Sequence, residues 1–103
     1  ELGTAVGFSA LLMCEYAPSD CHVTTIENYE KRIPVAKHNF ERAGKCDQIT
    51  LLEGDAMEII KTLDGPYDFI FVANENPNPS NGVFSPLSST FTNPIWIDFS
   101  LTL

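Results

Sequence analysis

A chain of 103 residues is long enough for one small domain, and 44% hydrophobic content can supply it with a core. A formal net charge of -8 argues against a free-standing nucleic-acid binder. No apolar run approaches the roughly 20 residues of a membrane-spanning helix and no signal peptide is visible, so no membrane partner is expected. Cys14, Cys21 and Cys46 are odd in number and widely spaced. They fit neither a disulfide framework nor a metal-binding pair, which points to a reducing, cytoplasmic setting.

The chain opens on Glu1-Leu2-Gly3-Thr4-Ala5-Val6-Gly7-Phe8-Ser9, an apolar strand end running into a turn with glycines four apart. Gly3 and Gly7 carry no Cβ, so the backbone there can turn tightly or approach a ligand closely. Glu1 stands just before the turn, where a carboxylate can accept hydrogen bonds from a bound amine or hydroxyl. Because the chain starts with Glu inside what reads as a strand, it is expected to be a fragment of something longer.

Spacing then predicts a helix over Gly7–Ala17 with Phe8, Leu11 and Leu12 as its apolar stripe, stopped by Pro18-Ser19-Asp20. Cys21 to Ile26 is β-branched and short, a strand ending at Glu27. Asn28 is placed to cap the next helix, whose face is Ile33, Ala36, Phe40 and Ala43 and whose C-terminal glycine is Gly44. Pro34 requires the regular helix to begin near Ile33. Asp47–Leu52 is the next strand, followed by Glu53-Gly54-Asp55. Asp55 can cap a helix carrying Ala56, Ile59, Ile60 and Leu63 on one side. Tyr67–Val72 is a nearly continuous apolar strand, as expected where both faces are covered. Strand and helix in alternation predict a parallel α/β sheet with right-handed crossovers.

In such a sheet the ends of the four strands open on one edge, bringing Glu1, Gly3, Glu27, Asp55 and Ala56 to a common crevice. Glu27 follows Gly3 by 24 residues, close to the roughly 20-residue spacing at which an acid takes both hydroxyls of a ribose. The glycine turn departs from the dinucleotide fingerprint, since Ala10 stands in the place of the third glycine. A nucleoside without a pyrophosphate fits better, and a nicotinamide-linked reductase is a remote alternative.

At these spacings ELGTAVGFS, TTIEN, LLEGDA and YDFIFV resemble the S-adenosylmethionine-dependent O-methyltransferases of the caffeoyl-CoA and catechol type. Bacterial members, some of which methylate hydroxyuridine in tRNA, are the nearest in appearance. The resemblance covers residues 1–72 and implies a Rossmann-like sheet of which this chain holds parts of four strands. It implies that Gly3, Thr4 and Gly7, with Glu1, line the methionine end of S-adenosylmethionine, with a hydroxyl from Ser9. Glu27 would hold the ribose hydroxyls, and Asp55 and Ala56 would meet the adenine. The acceptor would be a hydroxyl of a catechol, an acyl-CoA phenol or a tRNA base, and the full-length protein a homodimer.

The family uses a Mg2+ ion bound by an Asp at the end of the last of these strands. Ala73 stands there instead, the nearby lysine and the later acidic pair are absent, and no catalytic or metal-binding residue is expected in this chain. All six Lys and Arg lie between Lys31 and Lys61, whereas four of the seven prolines and five asparagines fall from Ala73 onward. Residues 73–103 therefore read as an irregular tail foreign to the fold, from a frameshifted or mispredicted reading frame joined to a 5′ truncation, with a short strand conceivable at Ile95–Phe99. The expected object is the cofactor-binding half of a methyltransferase, inactive and marginally stable by itself. A non-catalytic S-adenosylmethionine-binding pseudoenzyme or inactive fragment is the alternative.

Overall fold

The computed structural model describes residues 1–74 and 95–100. Its elements are α1 (Phe8–Tyr16), β1 (Val23–Glu27), α2 (Ile33–Arg42), β2 (Ile49–Glu53), α3 (Ala56–Ile59) continued by a 3-10 turn (Ile60–Thr62), β3 (Phe69–Asn74) and β4 (Ile95–Ser100). β1 pairs with β2 and β3 with β4, both in parallel. Leu2 joins the two pairs, bridging in parallel to Ile26 on one side and to Val72 on the other. The spatial order is thus β2, β1, Leu2, β3, β4. From Leu2 the chain builds outward through β1 to β2, then returns to build the other half from β3. The strand order reverses beside Leu2, and in open parallel sheets that reversal is where a crevice opens at the carboxyl ends of the strands.

Helices pack against both faces of the sheet, which suits its apolar strand positions. One cluster holds Ala10, Cys14, Val23, Ala36, Phe40 and Ile49, from α1, α2 and the β1–β2 half. The other holds Leu2, Ile26, Ile60, Ile70 and Val72, with Leu52, Ile59 and Leu63 packed against it. Burial pushes the Cys14 thiol above its usual value, in keeping with a packing role.

Local chemistry accounts for the helix ends. Pro34 lies in the first turn of α2, where its missing N–H has no helical partner to lose. Gly44, at φ +66°, ends α2: its N–H reaches the Glu41 carbonyl and that of Lys45 the Phe40 carbonyl, a Schellman closure. Asp55 caps α3 by accepting from the Glu58 N–H at 3.1 Å.

Three expectations are corrected. α1 buries Ala10 and Cys14; of the expected Phe8, Leu11 and Leu12 stripe, Leu11 packs against that cluster, but Phe8 is 71% exposed, and Leu12 and Tyr16 are exposed on the same side. Ala10 and Cys14 pack inward with Val23, Ala36 and Phe40. Asn28 does not cap α2, whose first turn is preceded by Arg32 with no side-chain cap. The third helix turns 3-10 after Ile59. In the region from Ala73, Ala73 and Asn74 continue β3, and the strand conceivable at Ile95–Phe99 is β4, which matches β3 residue for residue from Phe69↔Ile95 to Asn74↔Ser100. The remainder of that expected tail, 75–94 and 101–103, lies outside the described residues.

Candidate functional site

The site forms where three loops meet at the carboxyl edge of the sheet. The first is the glycine turn. Leu2 hands the chain out of the sheet, and the N–H groups of Gly3 and Thr4 both donate to the Ile26 carbonyl, at 2.9 and 3.1 Å. Gly3, Ala5 and Gly7 all have positive φ, 95°, 50° and 92°. Glycine accepts this freely; Ala5 does so at a cost of about 1–2 kcal/mol.

Ala5 is held there by Glu27. Its N–H donates to Glu27 Oε2 at 2.7 Å, while Glu27 Oε1 accepts from the N–H groups of Asn28 and Tyr29 at 3.1 and 3.0 Å. The Gly54 N–H donates to the Glu27 carbonyl at 2.9 Å. Glu27 therefore ties the glycine turn, its own loop and the loop after β2 together. It is a buried carboxylate, only 6% exposed, and charge-assisted hydrogen bonds from backbone N–H groups stabilise it there.

A second carboxylate lies beneath the turn. Glu1 accepts from the hydroxyls of Ser9 and, at 2.7 Å, Thr25, and Thr25 shares a 2.7 Å hydrogen bond with the Thr4 hydroxyl. Thr4 and Thr25 are fully buried. Burial holds the Glu1 carboxyl above its ordinary 4.5, and the Glu27 charge adds to the rise, against the opposing hydrogen bonds from Ser9 and Thr25 and the adjacent ammonium. A carboxyl whose value is raised on folding contributes stability that is complete below about pH 4.5 and lost as pH climbs through the folded value. Glu1→Gln has no such loss. Between about pH 4 and 7 the urea midpoint of the native chain should fall relative to that of Glu1→Gln; parallel profiles would contradict this.

Of the expected site residues, the structure brings Glu1, Gly3, Thr4, Ser9 and Glu27 around the turn. Thr4 turns its hydroxyl inward to Thr25. Gly7 is buried, and its open side faces the Phe40 ring. Asp55 is exposed at the start of α3 with Ala56 half-buried behind it, one loop over from Glu27. α1 begins at Gly7 with no side-chain cap, so its first N–H groups are free of side-chain acceptors at the same edge.

Sequence reading missed three contributors. Thr25 anchors Glu1, and its position on a strand with a polar side chain facing α1 was the available signal. Ala5 acts through its backbone, which no side-chain pattern discloses. Asn39 reaches from α2 to the Val6 carbonyl at 2.8 Å, pinning the turn from above. Among the described residues no group of three or more His, Cys, Asp and Glu is arranged to hold a metal ion, and no helix is long and apolar enough to cross a membrane.

The chain is similar to methyltransferases. The family model described as O-methyltransferase matches residues 1–81, past the Val72 limit of the expected resemblance. A catechol O-methyltransferase of Mycobacterium tuberculosis is 34% identical over 79 residues, covering 76% of this chain and 36% of its own length. Caffeoyl-CoA O-methyltransferase 1 of Eucalyptus globulus is 33% identical over 90 residues, covering 79% and 34%. The crystal structure of an O-methyltransferase from Bacillus cereus in complex with SAH superposes with a TM-score of 0.67 at 29% identity, covering 72% of this chain and 36% of that one. The chain thus spans about a third of the length of these relatives.

Proposed function

Since the chain belongs to the O-methyltransferase family, with a Rossmann-like fold, we propose that its carboxyl-edge site binds S-adenosylmethionine and that it forms the cofactor half of an enzyme methylating a hydroxyl. The reading is carried by one observation: a buried glutamate at the end of β1, beside the strand-order reversal, bonded directly to the glycine turn.

The residues fit a sulfonium nucleoside. A carboxylate offers about four acceptor sites, of which backbone N–H groups take three at Glu27, so one hydroxyl adds directly and a second exchanges with the Ala5 N–H. The uncapped start of α1 suits the carboxylate of the methionine moiety. Gly3, at φ +95°, turns the chain without a Cβ, and Glu1 with Ser9 lies beneath the turn. Asp55 and Ala56, one loop over from Glu27, are the residues proposed to meet the base. S-adenosylmethionine, when bound, would supply an electrophilic methyl group to the acceptor oxygen, and Glu27 with the glycine turn would hold and orient it. Holding the donor in line supplies most of what these residues contribute.

The names of the relatives support a catechol-like acceptor. A Mg2+ ion, where such an enzyme uses one, would polarise the acceptor hydroxyl, and no ligand set for it is assigned here. Calorimetric titration with S-adenosylmethionine, S-adenosylhomocysteine and NADH tests the reading. The first two are expected to bind at micromolar concentration and NADH not to bind. NADH binding, or silence from both nucleosides in a folded sample, would overturn it. A methyl-transfer assay with a catechol and Mg2+ then separates an active half from a binding module.

A further inference from the structure

The Glu1 carboxylate ends a directed chain of hydroxyls. Thr25 donates to Glu1 Oε2 at 2.7 Å, and Ser9 donates to Oε1. Thr4 and Thr25 share a 2.7 Å bond. A hydroxyl carries a single proton, and that of Thr25 is committed to Glu1, so Thr4 is the donor to Thr25. The order is therefore Thr4 to Thr25 to Glu1, met from α1 by Ser9. Among the described residues no buried side-chain nitrogen or oxygen lacks a partner, so the chain is closed.

The place of Thr25 makes its hydroxyl a costly choice. Val23, two positions earlier on the same face of β1, packs in the apolar cluster with α1 and α2. Thr25 is 0% exposed, and a valine of the same shape would fill the position with no polar group to satisfy. What the hydroxyl adds is a tie to the turn. Thr4 is bonded to Thr25, and the next residue, Ala5, gives its N–H to Glu27. Glu27 lies two positions beyond Thr25 on the same strand. The turn is thus fastened to β1 at two consecutive residues, one held by Thr25 and one by the carboxylate read above as the ribose acceptor.

We propose that Thr25 is a positioning residue of this site, its hydroxyl fixing the Glu1 carboxylate and the Thr4 side chain so that the glycine turn keeps the shape that takes the nucleoside; this role rests on the nucleoside reading given above. With Glu1 ionised, both of its oxygens accept and the chain runs one way. With Glu1 neutral, one oxygen carries a proton. If that oxygen is Oε2, Thr25 must accept from it and turn its own proton to Thr4, whose hydroxyl then needs a different acceptor. Thr25 therefore favours the ionised carboxylate. The charged groups acting on Glu1 are its own amino group and the Glu27 carboxylate, and both are the same in every variant below.

The test sets the native chain beside Thr25→Val, Thr25→Ser and Thr25→Cys. The Glu1 side-chain carboxyl is followed by NMR through a pH titration, and S-adenosylhomocysteine affinity is measured by calorimetry on folded samples. Thr25→Val removes the donor, so Glu1 should titrate at higher pH than in the native chain, and affinity should fall about tenfold or more. Thr25→Ser keeps the hydroxyl and loses only a methyl group, so both properties should stay close to native. Thr25→Cys, a weak donor close to serine in size, should move both toward the valine result by less, and it carries the comparison if Thr25→Val does not fold. The positioning role is overturned if Glu1 titrates alike in the native chain and in the folded valine or cysteine variant, or if that variant binds S-adenosylhomocysteine with native affinity. Silence of the native chain toward S-adenosylhomocysteine would overturn the nucleoside reading instead, while the Glu1 titration still decides whether Thr25 sets the carboxylate.

Discussion

Gly7→Ala is expected to destabilise the fold by about 3 kcal/mol or more, lowering the thermal midpoint by roughly 12–20 °C. Two terms add. Gly7 sits at φ +92°, which an L side chain adopts only with strain. A Cβ there would also lie 2.4 Å from Phe40 Cε1 and 2.9 Å from Cζ. The ring cannot swing aside easily, because Phe40 is 4% exposed and packed within the α1–α2 cluster. Phe40→Ala alone should cost about 3–5 kcal/mol as a cavity. In the double variant the clash disappears while the strain at position 7 remains. The two changes should therefore be less than additive by at least about 1 kcal/mol in urea titrations. Strict additivity would mean that the ring and the turn do not press on one another. The consequence for the site is direct: Gly7 serves α2 docking, which with the Asn39 bond to Val6 holds the turn in place.

Glu27→Ala should separate binding from structure less cleanly and more severely. Removing the carboxylate leaves the N–H groups of Ala5, Asn28 and Tyr29 without their acceptor. Water can reach some of them, so the expected loss is about 2–3 kcal/mol of stability. Affinity for S-adenosylhomocysteine should fall about 100-fold, the magnitude of losing charge-assisted bonds to ribose hydroxyls. Glu27→Gln is the informative partner. Its amide oxygen can still accept from Asn28 and Tyr29, but its NH2 faces the Ala5 N–H and any hydroxyl oxygen it meets as a donor. It should keep more of the stability than Glu27→Ala and still bind tenfold or more weakly than the native chain, measured by calorimetry on folded samples. Native affinity in either folded variant would remove Glu27 from the ribose role and with it the proposed site.

Much of this architecture was written in local patterns. Alternation of β-branched runs with helical stripes gave the order of elements, because both periods are properties of neighbouring residues. The helix ends at Pro34, Gly44 and Asp55 were equally legible, since each acts within its own turn. Glu27 could be singled out from its place at a strand end at a known distance from the glycine turn. The boundaries moved by a residue or two, as with β1 beginning at Val23 rather than Cys21.

What remained hidden depended on residues far apart in the chain. A short strand was conceivable at Ile95–Phe99, but its register against β3 is visible only from the partner strand. The pattern of α1 pointed to Phe8, Leu11 and Leu12 as the inward face. α2 and β1 selected the Ala10–Cys14 side, leaving Phe8, Leu12 and Tyr16 outside. The same holds within the site. That a turn, a carboxylate and a crevice should coincide was encoded in the order of residues, because strand polarity and short connections leave little choice. Which way each group faces was settled by tertiary contact: Thr4 toward Thr25, Gly7 beneath Phe40, the Ala5 N–H onto Glu27. Hydrogen bonds and close packing at these points join residues 21 to 33 positions apart, beyond the range of any local preference.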